Sequence, residues 1–249
     1  MVAYLNLLDI EDLSVEVNGQ KILDGVNLVI QEGESHVLFG PNGSGKTSIL
    51  MTILGFPDYK VTSGRIRFNG VDITNMSIDE RVKLGMGVAF QRPPAIRGVK
   101  LQDIIHNFLK THADAIKKES ELCEALNFRK EFLSRDLNLG FSGGEMKKSE
   151  ILQILAQKPN FVMLDEPDSG VDIENLAIIG RVVDDFLKKS SGLLITHLGY
   201  ILRYVEVDKG HVLINGKIAC SEEPIKILDQ ILKQGYGWCE KCLQIEKKY

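Results

Sequence analysis

The apolar run Val37-Leu38-Phe39 passes directly into Gly40-Pro41-Asn42-Gly43-Ser44-Gly45-Lys46-Thr47 and then into Ser48 to Leu54, which has the character of a helix start. Every fixed position of the pattern G-x-x-x-x-G-K-[ST] is met, with one further glycine at Gly43. Glycines at these positions let successive backbone N–H groups turn inward around a phosphate, and the helix N-terminus adds its partial positive charge. Lys46 is placed to reach the β and γ phosphates and the Thr47 hydroxyl to bind Mg²⁺, with Ser48 completing the cradle. A glycine-rich turn matching by chance is the competing reading, and the strand–loop–helix order speaks against it. ATP with Mg²⁺ is the expected ligand.

The remaining chain limits what such a loop can serve. At 249 residues with 44% apolar content, a substantial core can be buried. Thirty Lys and Arg against 34 Asp and Glu, a net charge of −4, give no basic field for gripping nucleic acid. The longest apolar stretches, such as Phe161 to Leu164 and Gly192 to Ile195, fall far below the roughly 20 residues of a bilayer crossing, so no direct membrane insertion is expected. Met1 to Leu8 is apolar but runs into Asp9, Glu11 and Asp12, without a basic leader region or a small-residue cleavage site. Four unevenly placed cysteines read as reduced thiols. These features together predict a cytoplasmic protein.

From Ile10 to about Phe39, short apolar runs (Leu13 to Val17, Ile22 to Leu23, Val26 to Ile30) alternate with turns at Asn18-Gly19 and Glu32-Gly33, which predicts a meander of strands. Val61 to Ile73 returns to strand character around the hairpin signal Asn69-Gly70. Between Val99 and about Leu137 the period becomes helical and the charge density rises, which predicts a small helical subdomain. Beyond it, helix is expected over Glu145 to Ala156, Asn175 to Lys188 and from Gly199 to Val205, and strand over Phe161 to Leu164 and Gly192 to Thr196. Strands alternating with helices imply a parallel sheet covered on both faces.

Two more segments carry chemistry. Phe161-Val-Met-Leu-Asp165-Glu166 is an apolar strand ending in two acids, where Asp165 can hold a magnesium shell and Glu166 can polarise the attacking water. In isolation the pair reads equally well as a strand end capped by solvated acids. In Phe141-Ser-Gly-Gly-Glu145, Ser142 and the N–H groups of Gly143 and Gly144 suit a γ-phosphate at a helix N-terminus, the plainer alternative for Ser142 being an N-cap. The series of phosphate loop, Gln91, Ser-Gly-Gly, Asp-Glu and a post-strand His197 decides between these readings.

With that series the chain resembles the ATP-binding-cassette ATPases over nearly its full length. Gly40 to Thr47 looks like their Walker A, Gln91 their Q-loop, Phe141 to Glu145 their signature motif, Phe161 to Glu166 their Walker B, Ser169 to Asp172 their D-loop and His197 their switch histidine. The resemblance implies an α/β fold: a RecA-like P-loop core with an antiparallel β subdomain and a small helical subdomain. It implies one cassette over 1–249, with the core and β subdomain in 1–91 and 146–249 and the helical subdomain in 92–145. It further implies Glu166, His197 and Gln91 as catalytic residues, and Mg²⁺ at Thr47, Gln91 and Asp165. Two cassettes would pack head to tail, each ATP lying between the Walker A of one and the Ser142 segment of the other.

Within that family four segments look closer to the SufC branch of iron–sulfur cluster assembly. These are Ala89 to Val99, Asn138 to Glu145, Leu164-Asp-Glu-Pro-Asp-Ser-Gly-Val-Asp172 and Gln234-Gly-Tyr-Gly-Trp238. The resemblance implies a SufB/SufD-like β-helical scaffold as partner, docking near Arg92 to Lys100, where Pro93-Pro94 stiffens the loop. The nucleotide-binding subunit of a membrane transporter is the alternative, against which the Asp168-Ser169-Gly170 segment argues. Two departures stand out. Val17 occupies the place of a customary adenine-stacking aromatic, and Glu145 in place of glutamine is expected to bring a carboxylate near the trans phosphate and disfavour closure. Past the resemblance, Cys239 and Cys242 form a C-x-x-C that could supply half of a zinc site or part of an iron–sulfur site; with no second C-x-x-C, two ordinary thiols are the favoured reading.

Overall fold

The computed structural model describes residues 6–110 and 113–238. Strands β1 (Asn6–Val17) and β2 (Gln20–Gln31) form a long hairpin around the Asn18-Gly19 turn, and β4 (Lys60–Phe68) and β5 (Val71–Asp72) complete an antiparallel sheet in the order β2-β1-β4-β5. The separate runs Ile22-Leu23 and Val26–Ile30 are thus one strand. Register shifts near Asp12 and Gly25 interrupt its apolar pattern, and the displaced backbone is satisfied locally: Asp12 N–H donates to Asn27 Oδ1 (2.9 Å) and Gly25 N–H to Ser14 Oγ (3.1 Å).

The second sheet has the order β12-β11-β3-β10-β9-β6. Its centre, β3 (Ser35–Phe39), β10 (Ser191–Ile195), β9 (Phe161–Asp165) and β6 (Met86–Ala89), is parallel; β11 (Lys209–Ile214) pairs parallel with β3 and turns through Asn215-Gly216 into the antiparallel edge strand β12 (Lys217–Glu222). Every residue of β3, β9 and β10 is buried. Successive side chains enter opposite cores. Leu38, Phe161, Met163, Leu193 and Ile195 join the one shared with the antiparallel sheet and α1 (Lys46–Leu54), whereas Val37, Phe39, Val162, Leu164 and Leu194 join the one under α5 (Gly143–Gln157) and α6 (Ile173–Leu187). A strand buried on both faces has no polar side, which is why these runs do not alternate.

Around α5 pack α3 (Leu101–Leu109) and α4 (Ala115–Ala125), with a two-stranded ribbon of β7 (Ile96–Lys100) and β8 (Asp136–Leu137) closing this small helical subdomain. Its helical reading holds from Leu101, while Ile96 to Lys100 is extended. The rings of Phe128, Phe132 and Phe141 cluster at 4.9–6.4 Å, with the Arg129 and Arg135 guanidiniums 4.5 and 4.3 Å from the Phe132 centroid. The expected helix after Gly199 is only a 3₁₀ turn over Tyr200–Arg203, and the Asp168 carboxylate accepts its first N–H groups, those of Tyr200 (3.0 Å) and Ile201 (3.4 Å). Among the described residues no helix is long and apolar enough to cross a membrane.

Arg81, in α2 (Ile78–Lys83), is 2% exposed and donates to four backbone carbonyls: Thr52 and Ile53 at 2.8 Å, Met76 at 2.9 Å and Thr74 at 3.0 Å. Burial lowers its pKa to about 10, so it stays charged at neutral pH and caps the C-terminal carbonyls of α1, the helix into which the phosphate loop feeds. Arg81→Met fills similar volume but strands those carbonyls. A loss of about 2–4 kcal/mol is expected, read as a lower denaturant midpoint at unchanged slope.

Candidate active site

The phosphate loop leaves β3 at Gly40, whose backbone is packed so closely that a Cβ there would lie 2.5 Å from Leu213 O and from Ser44 Oγ. Gly45 closes the loop at φ 105°, a conformation open to glycine, and α1 starts at Lys46. Gly216 N–H donates to Ser44 O (3.0 Å), so the β11–β12 turn braces the loop from behind. Lys46 Nζ donates to the carbonyls of Gly40 (2.8 Å) and Pro41 (2.9 Å). Burial lowers the Lys46 pKa, opposed by the carboxylates of Glu166 and Asp165.

Four loops converge here. Ile22, Asn42, Gly43, Gly45 to Ser48, Gln91 and Glu166 line one cleft of about 510 Å³. Asp165, the last residue of β9, places Oδ2 3.4 Å from the Thr47 hydroxyl, while Oδ1 is buried with no hydrogen-bond partner. Burial, followed by the neighbouring Glu166 charge, raises the Asp165 pKa against Lys147, Thr47 and Lys46. An orphaned buried carboxylate oxygen beside a hydroxyl is the kind of hard oxygen set that suits Mg²⁺, so the residues present fit that ion. Glu166, in left-handed backbone at φ 46°, accepts from Gln91 Nε2 on Oε2 (2.5 Å) and meets His197 Nδ1 on Oε1 (3.1 Å).

The structure also gives places in the site to residues to which the sequence reading assigned none there. Lys147 Nζ donates to Phe90 O (3.0 Å) and Asp165 O (3.3 Å), and Glu150 Oε2 accepts Phe90 N–H (2.8 Å), so α5 grips the backbone next to Gln91. Burial pushes the Glu150 pKa up to about 7 against the Phe90 N–H and Lys147. Asp168 accepts from the Thr196 hydroxyl (3.0 and 3.2 Å) as well as from Tyr200 N–H, and Thr196 Oγ1 in turn accepts from Leu198 (3.2 Å) and Gly199 (2.9 Å) N–H. A polar residue three positions past the strand-end acid was the available signal for Asp168. Ile22 rather than Val17 lines the cleft.

Ser142, Gly143 and Gly144 do not line this cleft; they cap α5, where Ser142 and Gly143 are exposed. A Cβ on Gly143 would meet Gly170 O at 2.7 Å, which brings the Ser142 segment against Ser169-Gly170. The Glu145 carboxylate accepts from Ser142 N–H (2.8 Å) in a capping box and from Arg129 (3.1 Å). Burial raises its pKa, yet the Ser142 and Arg129 contacts together hold it below its ordinary value. Cys239 and Cys242 lie outside the described residues.

A P-loop between a central parallel strand and a helix, with a glutamine, an Asp-Glu pair and a histidine gathered beside it, defines an ATP-hydrolysing cassette. The model of the ABC transporter family matches residues 23–169, and the chain belongs to that family as a SufC-type ATPase. It is 37% identical over 248 residues to the probable ATP-dependent transporter SufC of Escherichia coli, covering 93% of this chain and 98% of that one. An ATP-binding cassette of an ABC transporter superposes with a TM-score of 0.76 at 26% identity, covering 97% of this chain and 98% of the other. A dimeric cassette in a post-hydrolysis state, bound to ADP and Pi, has the same fold with a TM-score of 0.75 at 20% identity, over 87% and 98% of the two chains.

Asp168→Ala leaves the Thr196 hydroxyl and the Tyr200 N–H without their acceptor and loosens the backbone that carries His197. ATP turnover is expected to fall about tenfold or more, with nucleotide affinity changed less than about threefold and stability lowered by about 1–3 kcal/mol. Steady-state kinetics, nucleotide titration and denaturant unfolding read the three quantities.

Proposed function

We propose that this cytoplasmic ATPase couples ATP binding and hydrolysis, in a head-to-tail dimer, to conformational change of a SufB/SufD-like scaffold during iron–sulfur cluster assembly. The observation that carries the hydrolytic part is the meeting of Gln91 and His197 on Glu166, beside Lys46 and Asp165. Gly40 to Ser48 bind the phosphates, Lys46 swinging from the loop carbonyls to the β and γ oxygens. Thr47, Asp165 and Gln91 would hold Mg²⁺, which would supply charge neutralisation for the phosphates. Glu166 takes the proton of the attacking water, and His197 holds its carboxylate in place.

In the single chain both Glu166 oxygens are engaged, Oε2 by Gln91 and Oε1 by His197. Release of Gln91 from Oε2 would free that oxygen for water. Ser142, Gly143 and Gly144 are exposed or half-buried on α5, as they must be to reach the nucleotide of a second copy. Residues 92–145 act as the movable helical subdomain against 1–91 and 146–249. For the scaffold, Ile96 and Val99 offer exposed apolar side chains (40% and 37%) on β7, beside the Pro93-Pro94 turn that leads from Gln91. The assignment to cluster assembly is supported by the SufC relative and the Asp168-Ser169-Gly170 segment.

Glu166→Gln is expected to lower turnover by about 10²-fold or more while ATP still binds, measured by phosphate release and nucleotide titration. Unimpaired turnover would remove Glu166 from the mechanism. Ile96→Asp is expected to abolish both retention of the scaffold in a pull-down and its stimulation of the slow ATPase of the isolated chain, with nucleotide affinity unchanged. Retention of an integral membrane protein in place of a soluble scaffold would establish a transporter subunit.

A further inference from the structure

His197 is held by its ring at Glu166 and by its neighbour Thr196 at Asp168; a third hold reaches it from near the far end of the chain. Helix α7 (Pro224–Gln234) packs along β11 and closes with the Gly235 N–H on Ile231 O at 2.8 Å. Gly235 turns the backbone at φ 65°, and Tyr236 then donates its phenolic O–H to the backbone carbonyl of His197 at 3.1 Å. A second contact lies two residues along the same loop, where a Cβ on Gly199 would come within 2.7 Å of Leu228 Cδ1 of α7. Tyr236 and Trp238 both pack against the core cluster that contains Ile201 and Leu202 of the turn after His197. The C-terminal unit therefore grips residues 197–199 once through a polar contact and once through an apolar one.

The polar contact bears on one peptide unit. His197 C=O and Leu198 N–H belong to the same planar amide, and they are held at opposite ends: the carbonyl by Tyr236, the N–H by Thr196 Oγ1 at 3.2 Å. Fixing both ends of a rigid plane fixes ψ at His197, and with it the frame from which the imidazole is projected toward Glu166 Oε1. Docking of α7 does not need this bond. Ile227, 1% exposed, already buries that helix, and the half-buried Tyr236 side chain could reach the core as well with a phenylalanine ring. What the hydroxyl adds is a donor on the backbone of the histidine that contacts Glu166.

The geometry points to Tyr236 as a positioning residue for His197, through which α7 and the segment after it set how firmly the imidazole is held against Glu166 during hydrolysis. This rests on the reading of His197 as a hydrolytic residue. Tyr236→Phe removes the hydroxyl alone. In the full chain with its scaffold, the expected result is a kcat about five- to tenfold lower, with KM for ATP within about twofold and a melting temperature within about 2 °C of the parent. In a His197→Ala background the same substitution is expected to cost nothing further, measured by single-turnover phosphate release, because the group it acts through is gone. Wild-type kcat in Tyr236→Phe overturns the inference, as does an equal loss in both backgrounds or a loss matched by a fall in melting temperature. An inactive His197→Ala beside an unimpaired Tyr236→Phe removes this inference alone, whereas a fully active His197→Ala removes the reading of His197 along with it.

Discussion

Segments 75 and 31 residues away in the chain close on the two oxygens of Glu166, Gln91 from one side and His197 from the other. The strand order makes this meeting possible. β3, β10, β9 and β6 are neighbours in one parallel sheet, so the phosphate loop, His197, the Asp165-Glu166 pair and Gln91 all leave from the same end of it. A sheet of this kind requires burial on both faces, which the two cores supply, and its central strands are consequently short, apolar and without alternation. The left-handed backbone of Glu166, with its N–H on Ile195 O at 2.8 Å, then turns its carboxylate across the strand end toward His197.

Those parts whose chemistry is local could be read directly from the residues. The phosphate loop declares itself because its glycines and Lys46 act through their own backbone and neighbours, and the strand before Asp165 does so because it is apolar throughout. Parts whose logic is tertiary could not. Ile22-Leu23 and Val26–Ile30 read as separate runs because the bulge at Gly25 is relieved by Ser14 from the paired strand. β6 is four residues long and shows no pattern of its own, although Gln91 depends on it. The Asn215-Gly216 hairpin carried a usable signal, as did the start of α7 at Pro224. The Glu145 contact with Arg129 could not be read because Arg129 lies 16 residues away in sequence.

Helix α5 joins two sites that the phosphate loop alone would leave separate. Its N-cap is Ser142, the residue offered outward, and it is anchored by the Phe128, Phe132 and Phe141 rings immediately before it. One and two turns further on, Lys147 and Glu150 hold both the carbonyl and the N–H of Phe90, the residue before Gln91. One continuous helix thus carries the exposed Ser142 at its start and, through Phe90, adjoins the Gln91 that donates to Oε2 of Glu166.

Carboxylates of Glu150, Asp165, Glu166 and Asp168 act on Lys147, whose pKa burial nevertheless lowers, and of these only Asp165 has a buried oxygen without a partner. With Lys46 and Lys147 as the cations among them, the acidic groups outnumber the basic ones, and a polyanionic phosphate chain brought near would be repelled by Asp165 and Glu166. A divalent cation held by Asp165 and Thr47 would offset that repulsion. Of these two acids, Glu166 is also the one that holds Gln91 and His197 in place.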